Sequence, residues 1–309
     1  MIKGIRFLAV VFGILFVIQS LGGCKAPEKR PVTEEPTISL YMHETGEVKK
    51  IKIEDYLTGV VAAEMEPTWP VNALAAQAIL ARTFTMKKIQ EGGVKAHGTD
   101  ASTNIQEFQA YNPAKVNDNV RRAVEMTRGQ VIKYKGNYIN SWFYSYGGTQ
   151  TAASAVEGLG FNKEETPYIQ SVADPGKAIT TQKNKNWTAT FSVNELKTAV
   201  KKVTGKDPGS ITDLGITSKG PSGRATKLKI GNTTVRAPAL RLALGSKRLR
   251  STLISDIKVS NGKVIFKGEG YGHGVGMSQW GARALAEQGK NPEQIIKYFF
   301  KGVELVKEW

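Results

Sequence analysis

The densest group of chemically useful residues lies near the end of the chain, where residues 268–282 read GEGYGHGVGMSQWGA. Five glycines within nine residues let the backbone adopt positive φ angles or pass close to another group. His273 has glycine on both sides, so its imidazole can approach a ligand. Ser278, Gln279 and Trp280 then open a predicted helix and add a hydroxyl, an amide and an aromatic face. Such a mixture of hydrogen-bonding groups and an aromatic ring is typical of a sugar-binding site.

Residues 268–282 also allow interpretations other than a sugar-binding site. A glycine-rich turn in which His273 is structural stays open. A phosphate-binding loop is excluded, because no Lys-Ser/Thr pair follows and the G-x-G-x-x-G spacing does not open a helix. Metal binding is not predicted either, since His43, His97 and His273 are the only histidines and no two have ligand spacing, while Cys24 is the only cysteine. We therefore expect neither a metal nor another cofactor.

A single acid in apolar surroundings is the second feature. Glu64 follows Val-Val-Ala-Ala and precedes Met65. Burial at such a position disfavours the charged form and raises the carboxyl pKa. A raised pKa is what a general acid near neutral pH needs. On periodicity alone, a residue that caps the following helix or faces solvent is the alternative.

Further candidates for ligand binding lie between these two features. Arg82 closes a long apolar helix, where it would hold a carboxylate or a substrate group, or face solvent. Residues 142–149, WFYSYGGT, end a predicted strand in aromatics and glycines, which fits a sugar site or simply a hydrophobic core. The predicted substrate-binding set is Arg82, Tyr144, Ser145, Gly147, Gly148, His273, Gly274, Ser278 and Gln279.

Local patterns predict the elements that position these residues. Alternating apolar residues on both sides of 44–46 predict a hairpin. Helices are predicted at 54–65, with Glu54 and Asp55 as capping carboxylates, and at about 71–91, with Pro67 and Pro70 between them. The second helix is apolar nearly all round over 73–81, as expected in an interior. Further predicted elements are a helix at 119–127, strands at 131–134 and 138–146, a helix opened by 191–196 and ending at Val203, short strands, a strand at 264–266, and one or two final helices.

The composition of the sequence changes from residue 187 to residue 259, where predicted short strands rich in Lys, Thr and Gly follow the helix predicted to end at Val203. We predict that this stretch is a smaller lobe. It would be inserted into a core made of residues 37–186 and 260–309.

The N-terminus predicts export from the cell. Lys3 and Arg6 precede an apolar run over residues 7–18, and small residues follow. That run gives roughly 18 Å of helix, short of the ~30 Å bilayer core, which disfavours a permanent transmembrane anchor. Cys24 directly follows Leu-Gly-Gly and resembles the lipobox of bacterial lipoproteins, which implies cleavage after residues 1–23 and lipidation of Cys24; an incidental cysteine beside an ordinary cleavage site is the alternative. Residues 24–36 are rich in proline and charge and predict a disordered tether.

The charge balance predicts an anionic partner. The chain has 43 Lys+Arg against 27 Asp+Glu, a formal net charge of +16. Nucleic acid, anionic lipid and an anionic cell wall would all satisfy that charge. An exported protein meets no genome, so we expect wall and membrane surface, not nucleic acid, and a location at the outer face of the cytoplasmic membrane. The basic run 241–250 predicts a solvated surface that meets the wall.

Four segments occur in the order known from one family. The chain resembles the SpoIID/LytB family in residues 56–65 (YLTGVVAAEM), 73–83 (ALAAQAILART), 144–148 (YSYGG) and 272–282 (GHGVGMSQWGA). The similarity extends from about residue 37 to residue 309 and includes residues 222–224 and 249–252. It implies a mixed α+β core with a second lobe and a cleft between them.

The resemblance also implies a function. Family members bind peptidoglycan and include a sporulation lytic transglycosylase, whose catalytic glutamate corresponds to Glu64, and proteins described as amidase enhancers. The implied activity is cleavage of the MurNAc–GlcNAc bond of glycan strands by a single Glu acid/base, on peptide-stripped glycan in sporulation or in wall remodelling. One alternative is an enhancer that binds wall without cutting it and has an N-acetylmuramoyl-L-alanine amidase as partner. Another is a basic surface protein that holds teichoic acid.

The chain departs from the family pattern at two places. Some sporulation members have a histidine- and cysteine-containing zinc site just after the helix that matches residues 71–91. Here His97 is present, but no cysteine is, and residues 105–108 occupy the later ligand positions. Some members are also anchored by an uncleaved helix, whereas this N-terminus resembles that of a lipoprotein.

Overall fold

The computed structural model describes residues 34–309. The predicted signal peptide, Cys24 and most of the predicted tether lie outside the described residues. The helices are α1 (Ile53–Glu64), α2 (Val71–Gln90), α3 (Asp118–Glu125), α4 (Ala155–Leu159), α5 (Gln182–Lys185), α6 (Val193–Thr204), α7 (Ala237–Ala243), α8 (Gln279–Glu287) and α9 (Pro292–Phe299). The strands are β1 (Thr37–Tyr41), β2 (Val48–Lys52), β3 (Ala101–Ser102), β4 (Gln130–Tyr134), β5 (Asn137–Tyr138), β6 (Phe143–Tyr144), β7 (Trp187–Ser192), β8 (Leu214–Lys219), β9 (Ala225–Ile230), β10 (Thr233–Arg236), β11 (Ile254–Ser260), β12 (Lys263–Gly268), β13 (Met277–Ser278) and β14 (Glu304–Lys307).

The strands form several small sheets with helices around them. Their orders are β2-β1-β3, β14-β4-β5, β13-β6, β11-β12-β7 and β10-β9-β8. Most neighbours are antiparallel, but β1 pairs with β3, and β13 with β6, in parallel. The predicted mixed α+β class is confirmed.

The N-terminal elements follow the sequence pattern closely. In the predicted hairpin, β1 and β2 pair from Thr37 opposite Lys52 to Tyr41 opposite Val48. Ile38 and Leu40 point to the core side of β1, because alternate residues of a strand face the same way. The two predicted helices are α1 and α2, with Pro70 immediately before α2.

Helix α2 is the centre of the larger hydrophobic cluster. Residues 73–81 are all fully buried, as their apolar composition predicts. Helices α1, α3, α8 and α9 and strand β4 all pack against α2. Since α1 and α8 lie on this common support, the residues at their ends hold defined positions relative to each other.

The predicted strand at 138–146 is wrong. Only β5 and β6 are strands, and they belong to different sheets. Between them the backbone N–H of Asn140 donates to the Tyr168 hydroxyl (2.9 Å), and the carbonyl of Trp142 accepts from Met277 N–H (3.1 Å). These partners are distant in sequence, one a tyrosine side chain and the other the start of β13, and composition gives no sign of them.

A second hydrophobic cluster lies between Trp187 and Phe266. Its helix α6 is the one predicted to end near Val203, and Ser192 and Glu195 form a capping box at its start. The cluster includes Val264 and Phe266 of β12, so it extends past residue 259. The division into an inserted lobe and a core stays a prediction.

The end of the predicted tether is part of the fold. Glu35 accepts hydrogen bonds from Glu54 N–H (3.1 Å) and from the Arg128 guanidinium, and the carbonyl of Pro36 accepts from Ile53 N–H (3.0 Å). The predicted boundary at residue 36 is therefore too late, because these two residues are bonded to the folded part. Between residues 34 and 309 no helix is long and apolar enough to cross a membrane.

Candidate functional site

Glu64 is the last residue of α1, and its side chain is only partly exposed. Val60 and Val61 in the preceding turn are fully buried. The Oε1 atom of Glu64 accepts a hydrogen bond from Ala110 N–H at 3.0 Å. Burial raises the pKa of Glu64 to about 7, against the opposing effect of the Ala110 hydrogen bond. The predicted rise in pKa is confirmed, while the catalytic role stays a prediction.

The alternative in which Glu64 caps the following helix is wrong. The N-cap residue of α2 is Pro70, which has no side-chain cap. The Glu64 carboxylate instead binds the segment before α3. A carboxyl group held there, with part of its surface open, can exchange a proton with a ligand.

Gln279 connects the glycine-rich segment to Glu64. Its Nε2 donates to the Glu64 carbonyl oxygen at 3.0 Å, across 215 positions of sequence. Gln279 begins α8, and Ser278 is the N-cap, with Oγ accepting from Gly281 N–H at 3.1 Å. Helix α8 thus places its first turn beside the end of α1.

An aromatic pair lies beside this junction. The rings of Trp69 and Trp280 meet edge to face with centroids 4.8 Å apart. The Arg283 guanidinium lies 5.2 Å from the Trp69 ring and 5.3 Å from the Trp280 ring. All three side chains are partly exposed. Aromatic faces with a polar group close by suit a sugar, so Trp69 and Arg283 join the candidate site; only their spacing from Glu64 and Trp280 could have suggested them.

His273 has contacts of its own, with Tyr144 and Val275. Its ring lies 5.5 Å from the Tyr144 ring, and its Nδ1 accepts from Val275 N–H at 3.1 Å. Burial, and after it the charge of Arg241, lowers the pKa of His273 to about 3. The imidazole is therefore neutral near pH 7, a form that can both donate and accept a hydrogen bond.

The structure brings Gln279 to Glu64 but does not join Glu64 to His273. Within residues 34–309, neither a hydrogen bond nor a ring contact links these two side chains. The connection between them runs through the backbone of β13, which leads from the loop at residues 269–276 (the histidine loop) to Gln279. That both line one groove stays a prediction.

The structure speaks against the predicted substrate contact of Arg82, because this side chain has no exposed surface. The side chain is fully buried, with Nε 3.0 Å from Oε1 and Nη2 2.5 Å from Oε2 of Glu54. Glu54 also accepts from Gly129 N–H and from the Trp309 indole, each at 3.0 Å. Of the possibilities for Arg82, holding a carboxylate is confirmed. Glu54 is consequently the centre of a buried network and not a helix cap.

Two further side chains of the predicted substrate-binding set are buried. Tyr144 is 4% exposed and Ser278 is fully enclosed. Ser278 caps α8, and its hydroxyl also lies 3.4 Å from the Ser145 carbonyl. Direct substrate contact by Tyr144 or Ser278 is therefore corrected to a structural role. Ser145 and His273 are partly exposed and stay candidates.

The glycines of the set pack against protein groups. Gly147 donates its N–H to Asp174 Oδ2 (2.7 Å), and its carbonyl accepts from Arg224 Nη2 (2.6 Å). Gly274 has φ +85°, and a Cβ there would lie 2.4 Å from the Arg224 guanidinium. Gly148 has φ +81° and is equally buried. Their close approach is to the fold itself, which corrects the predicted contact with substrate.

His97 is in hydrogen-bond contact with one carboxylate and does not belong to a cluster of metal ligands among the described residues. Its Nε2 lies 3.1 Å from both carboxylate oxygens of Glu107, and its ring stacks on Tyr41 with centroids 3.6 Å apart. In the described part of the chain, no group of three or more His, Cys, Asp or Glu residues is placed to hold a metal ion.

Comparison with known proteins places the chain among relatives. A family model described as SpoIID, stage II sporulation protein, matches residues 41–134, which contain Glu64. An uncharacterized protein of Brachyspira hyodysenteriae is 36% identical over 263 residues, covering 84% of this chain and 68% of the relative. The chain belongs to the SpoIID/LytB family.

Other relatives carry functional names. The amidase enhancer of Bacillus subtilis is 30% identical over 300 residues, which cover 81% of this chain but only 40% of the enhancer. Stage II sporulation protein D of the same organism is 28% identical over 295 residues, covering 87% of this chain and 78% of the relative. A domain of unknown function (DUF8618) matches residues 175–276, a range that contains the second cluster. Family membership supports a cell-wall-related role.

Proposed function

We propose that this protein is a peptidoglycan lytic transglycosylase that cleaves the MurNAc–GlcNAc bond with Glu64 as its acid and base. The observation that carries the proposal is the environment of Glu64, a partly exposed carboxyl whose pKa is raised to about 7 by burial. About half of such groups hold a proton near pH 7, so both the acid and the base form are available.

In the first step Glu64 acts as general acid. The proton of its carboxyl passes to the glycosidic oxygen as the bond from that oxygen to C1 of N-acetylmuramic acid breaks. The leaving sugar departs with a hydroxyl, and Glu64 becomes a carboxylate. The Ala110 N–H, 3.0 Å from Oε1, stabilises this charge and keeps the group in position.

In the second step the carboxylate acts as base. It takes the proton of the 6-hydroxyl of the same muramic acid residue, whose oxygen bonds to C1 and closes a 1,6-anhydro ring. Glu64 is then protonated again and ready for the next cycle. Because the substrate supplies the nucleophile, one carboxyl suffices, in contrast to the paired carboxylates of most glycosidases.

The groups around Glu64 suit a glycan strand. Trp69 and Trp280 offer ring faces on which a sugar can stack, close to the Arg283 guanidinium. Its Nε donates to Glu287 Oε1 at 2.7 Å, and its other N–H groups can donate to oxygens of a ligand. Gln279 and Trp280 are the first two residues of α8. The hydrogen bond from Gln279 to the Glu64 carbonyl therefore fixes the Glu64 backbone relative to Trp280. The acid and the aromatic pair therefore keep a constant separation.

The decisive variant is Glu64→Gln. Purified sacculi incubated with the wild type should release anhydro-muropeptides detectable by mass spectrometry, and the variant should release none while still binding sacculi. Glu66→Gln is the matched control, because Glu66 is an exposed glutamate two residues away. Release by Glu64→Gln at the wild-type rate would rule out the mechanism.

A second candidate function is favoured by the relative named amidase enhancer. In that case the protein binds wall without cutting it, and an N-acetylmuramoyl-L-alanine amidase is its partner. Sacculi treated with the pure protein would then yield no new fragments, but an added amidase would cleave faster. The two functions are separated by the products obtained without amidase.

We further propose that the protein is held at the outer face of the cytoplasmic membrane by a lipid on Cys24, within reach of the wall. The sequence around Cys24 is the support for this location. Cys24→Ala should move the protein from the membrane fraction to the soluble exported fraction, whereas an unchanged distribution would contradict lipidation.

A further inference from the structure

Two arginines beside the histidine loop are buried without an acidic partner. Arg241 and Arg250 are 7% and 9% exposed. The prediction of a solvated surface over 241–250 is therefore wrong at both ends of the run, although Lys247 and Arg248 are exposed. Neither Arg241 nor Arg250 forms an ion pair within residues 34–309, whereas the fully buried Arg82 binds a carboxylate through two of its nitrogens.

Both guanidinium groups lie against the segment that carries His273. The Arg250 guanidinium lies 3.8 Å over the Tyr271 ring, and its Nη2 donates to Asn184 Oδ1 at 2.5 Å. The Nε of Arg241 donates to the Arg250 carbonyl at 3.0 Å, which places the two arginines side by side. Tyr271 and His273 are partly exposed, so this segment reaches the surface.

Several donors at this place have no acceptor. The Nε of Arg250 is buried and makes no hydrogen bond within the described chain. The Nη1 groups of Arg241 and Arg250 also lack a partner there, but they are not enclosed. A guanidinium has five N–H donors and no acceptor, so these groups can be satisfied only by an oxygen from outside the fold or by water.

An anion would remove the cost of this arrangement. Taking an unpaired cation out of water destabilises a protein unless a counter-charge is supplied. A carboxylate is the anion that matches a guanidinium in two parallel hydrogen bonds. The partly exposed ring of Tyr271 and the imidazole of His273 add the aromatic and hydrogen-bonding groups that a sugar carrying that carboxylate would meet.

We propose that Arg241 and Arg250, beside Tyr271 and His273, form a binding site for a carboxylate of the glycan substrate. This inference rests on the proposed function only in taking the glycan strand as ligand. Two sources supply the same chemistry: the lactyl carboxylate of a muramic acid without its peptide, and the carboxylates of the stem peptide.

The test measures binding without cleavage. The full chain carrying Glu64→Gln is titrated with peptide-free strands, with peptide-bearing strands, and with both after their carboxylates are converted to amides. Arg241→Gln is the principal variant, and Arg248→Gln is its matched control, since it removes the same charge from an exposed position seven residues away. Arg250→Lys keeps the positive charge but loses the planar set of guanidinium N–H donors. This variant replaces Arg241→Gln in the test if Arg241→Gln does not fold.

The chain that keeps Arg241 should bind carboxylate strands more tightly than amidated strands. Losing one hydrogen bond to a charged group corresponds to a roughly 10- to 100-fold weaker Kd. Arg241→Gln should weaken binding of carboxylate strands by that factor and leave amidated strands unchanged, and Arg250→Lys should show a smaller loss of the same selectivity. The strand type that loses its affinity on amidation identifies the source of the carboxylate.

Equal affinity for carboxylate and amidated strands would overturn the proposal. So would an equal loss in Arg248→Gln, which would make the effect one of overall charge, or stronger competition by teichoic acid phosphate than by the strands. Release of anhydro fragments is scored separately with Glu64 intact. A failure of the transglycosylase proposal would therefore leave the binding result standing.

Discussion

Replacing Glu64 by glutamine measures how far the fold disfavours a charge at that position. The pKa of Glu64 is raised from 4.5 to about 7 by burial, so ionisation costs more in the folded protein than in the unfolded chain. The corresponding contribution to the free energy of unfolding is fully present below about pH 4.5 and is lost as the pH rises through about 7. At about 1.36 kcal/mol for each pH unit, the loss over this interval is about 3 kcal/mol.

Glutamine has nearly the shape of the neutral carboxyl and keeps an oxygen for the Ala110 N–H. Glutamine cannot ionise, so the variant does not lose this stability as the pH rises through about 7. We expect wild type and Glu64→Gln to have similar stability near pH 5. Near pH 8.5 the variant should be the more stable by about 2–3 kcal/mol, an upper bound because the side chain keeps some contact with water.

Urea unfolding at both pH values provides the assay, with the midpoint and slope fitted separately for each protein. Glu66→Gln controls for the loss of a surface charge and should change stability by less than about 0.5 kcal/mol. A difference between wild type and Glu64→Gln that is the same at both pH values would refute the reasoning. The carboxyl would then not be desolvated, and the argument for a general acid near neutral pH would lose its basis.

Three further predictions concern the surroundings of the site. Arg82→Met should lower the free energy of unfolding by about 3–5 kcal/mol in urea titrations, because Glu54 is left as an unpaired buried charge; a loss below about 1 kcal/mol would contradict this role. Gly274→Ala should cost about 1–3 kcal/mol for its positive φ alone, with more from the clash with Arg224, seen as a lower thermal midpoint. Trp69→Ala should weaken binding of N-acetylglucosamine oligomers roughly tenfold in calorimetric titrations, since a ring face of the aromatic pair is lost. Unchanged affinity would remove Trp69 from the site.

The sequence by itself determined the local elements around the site. The hairpin β1–β2 follows from alternation, and α2 follows from an apolar run between Pro70 and the glycines at 92 and 93. The raised pKa of Glu64 was also predictable, because the apolar residues just before it in α1 are its neighbours in space as well as in sequence. In each case the cause lies within a few residues of the effect, where periodicity and proline or glycine stops are informative.

Only the tertiary structure decided which side chains meet. Gln279 reaches the Glu64 carbonyl across 215 positions, and Arg82 binds Glu54 across 28. A pattern of residue types does not show which partner a buried charge has: Arg82 is bound to a carboxylate, while Arg241 is also buried but has none among residues 34–309. Burial and pairing depend on how separate elements pack against one another, and that packing is settled by the whole chain at once, because each contact exists only when both of its distant segments are in place.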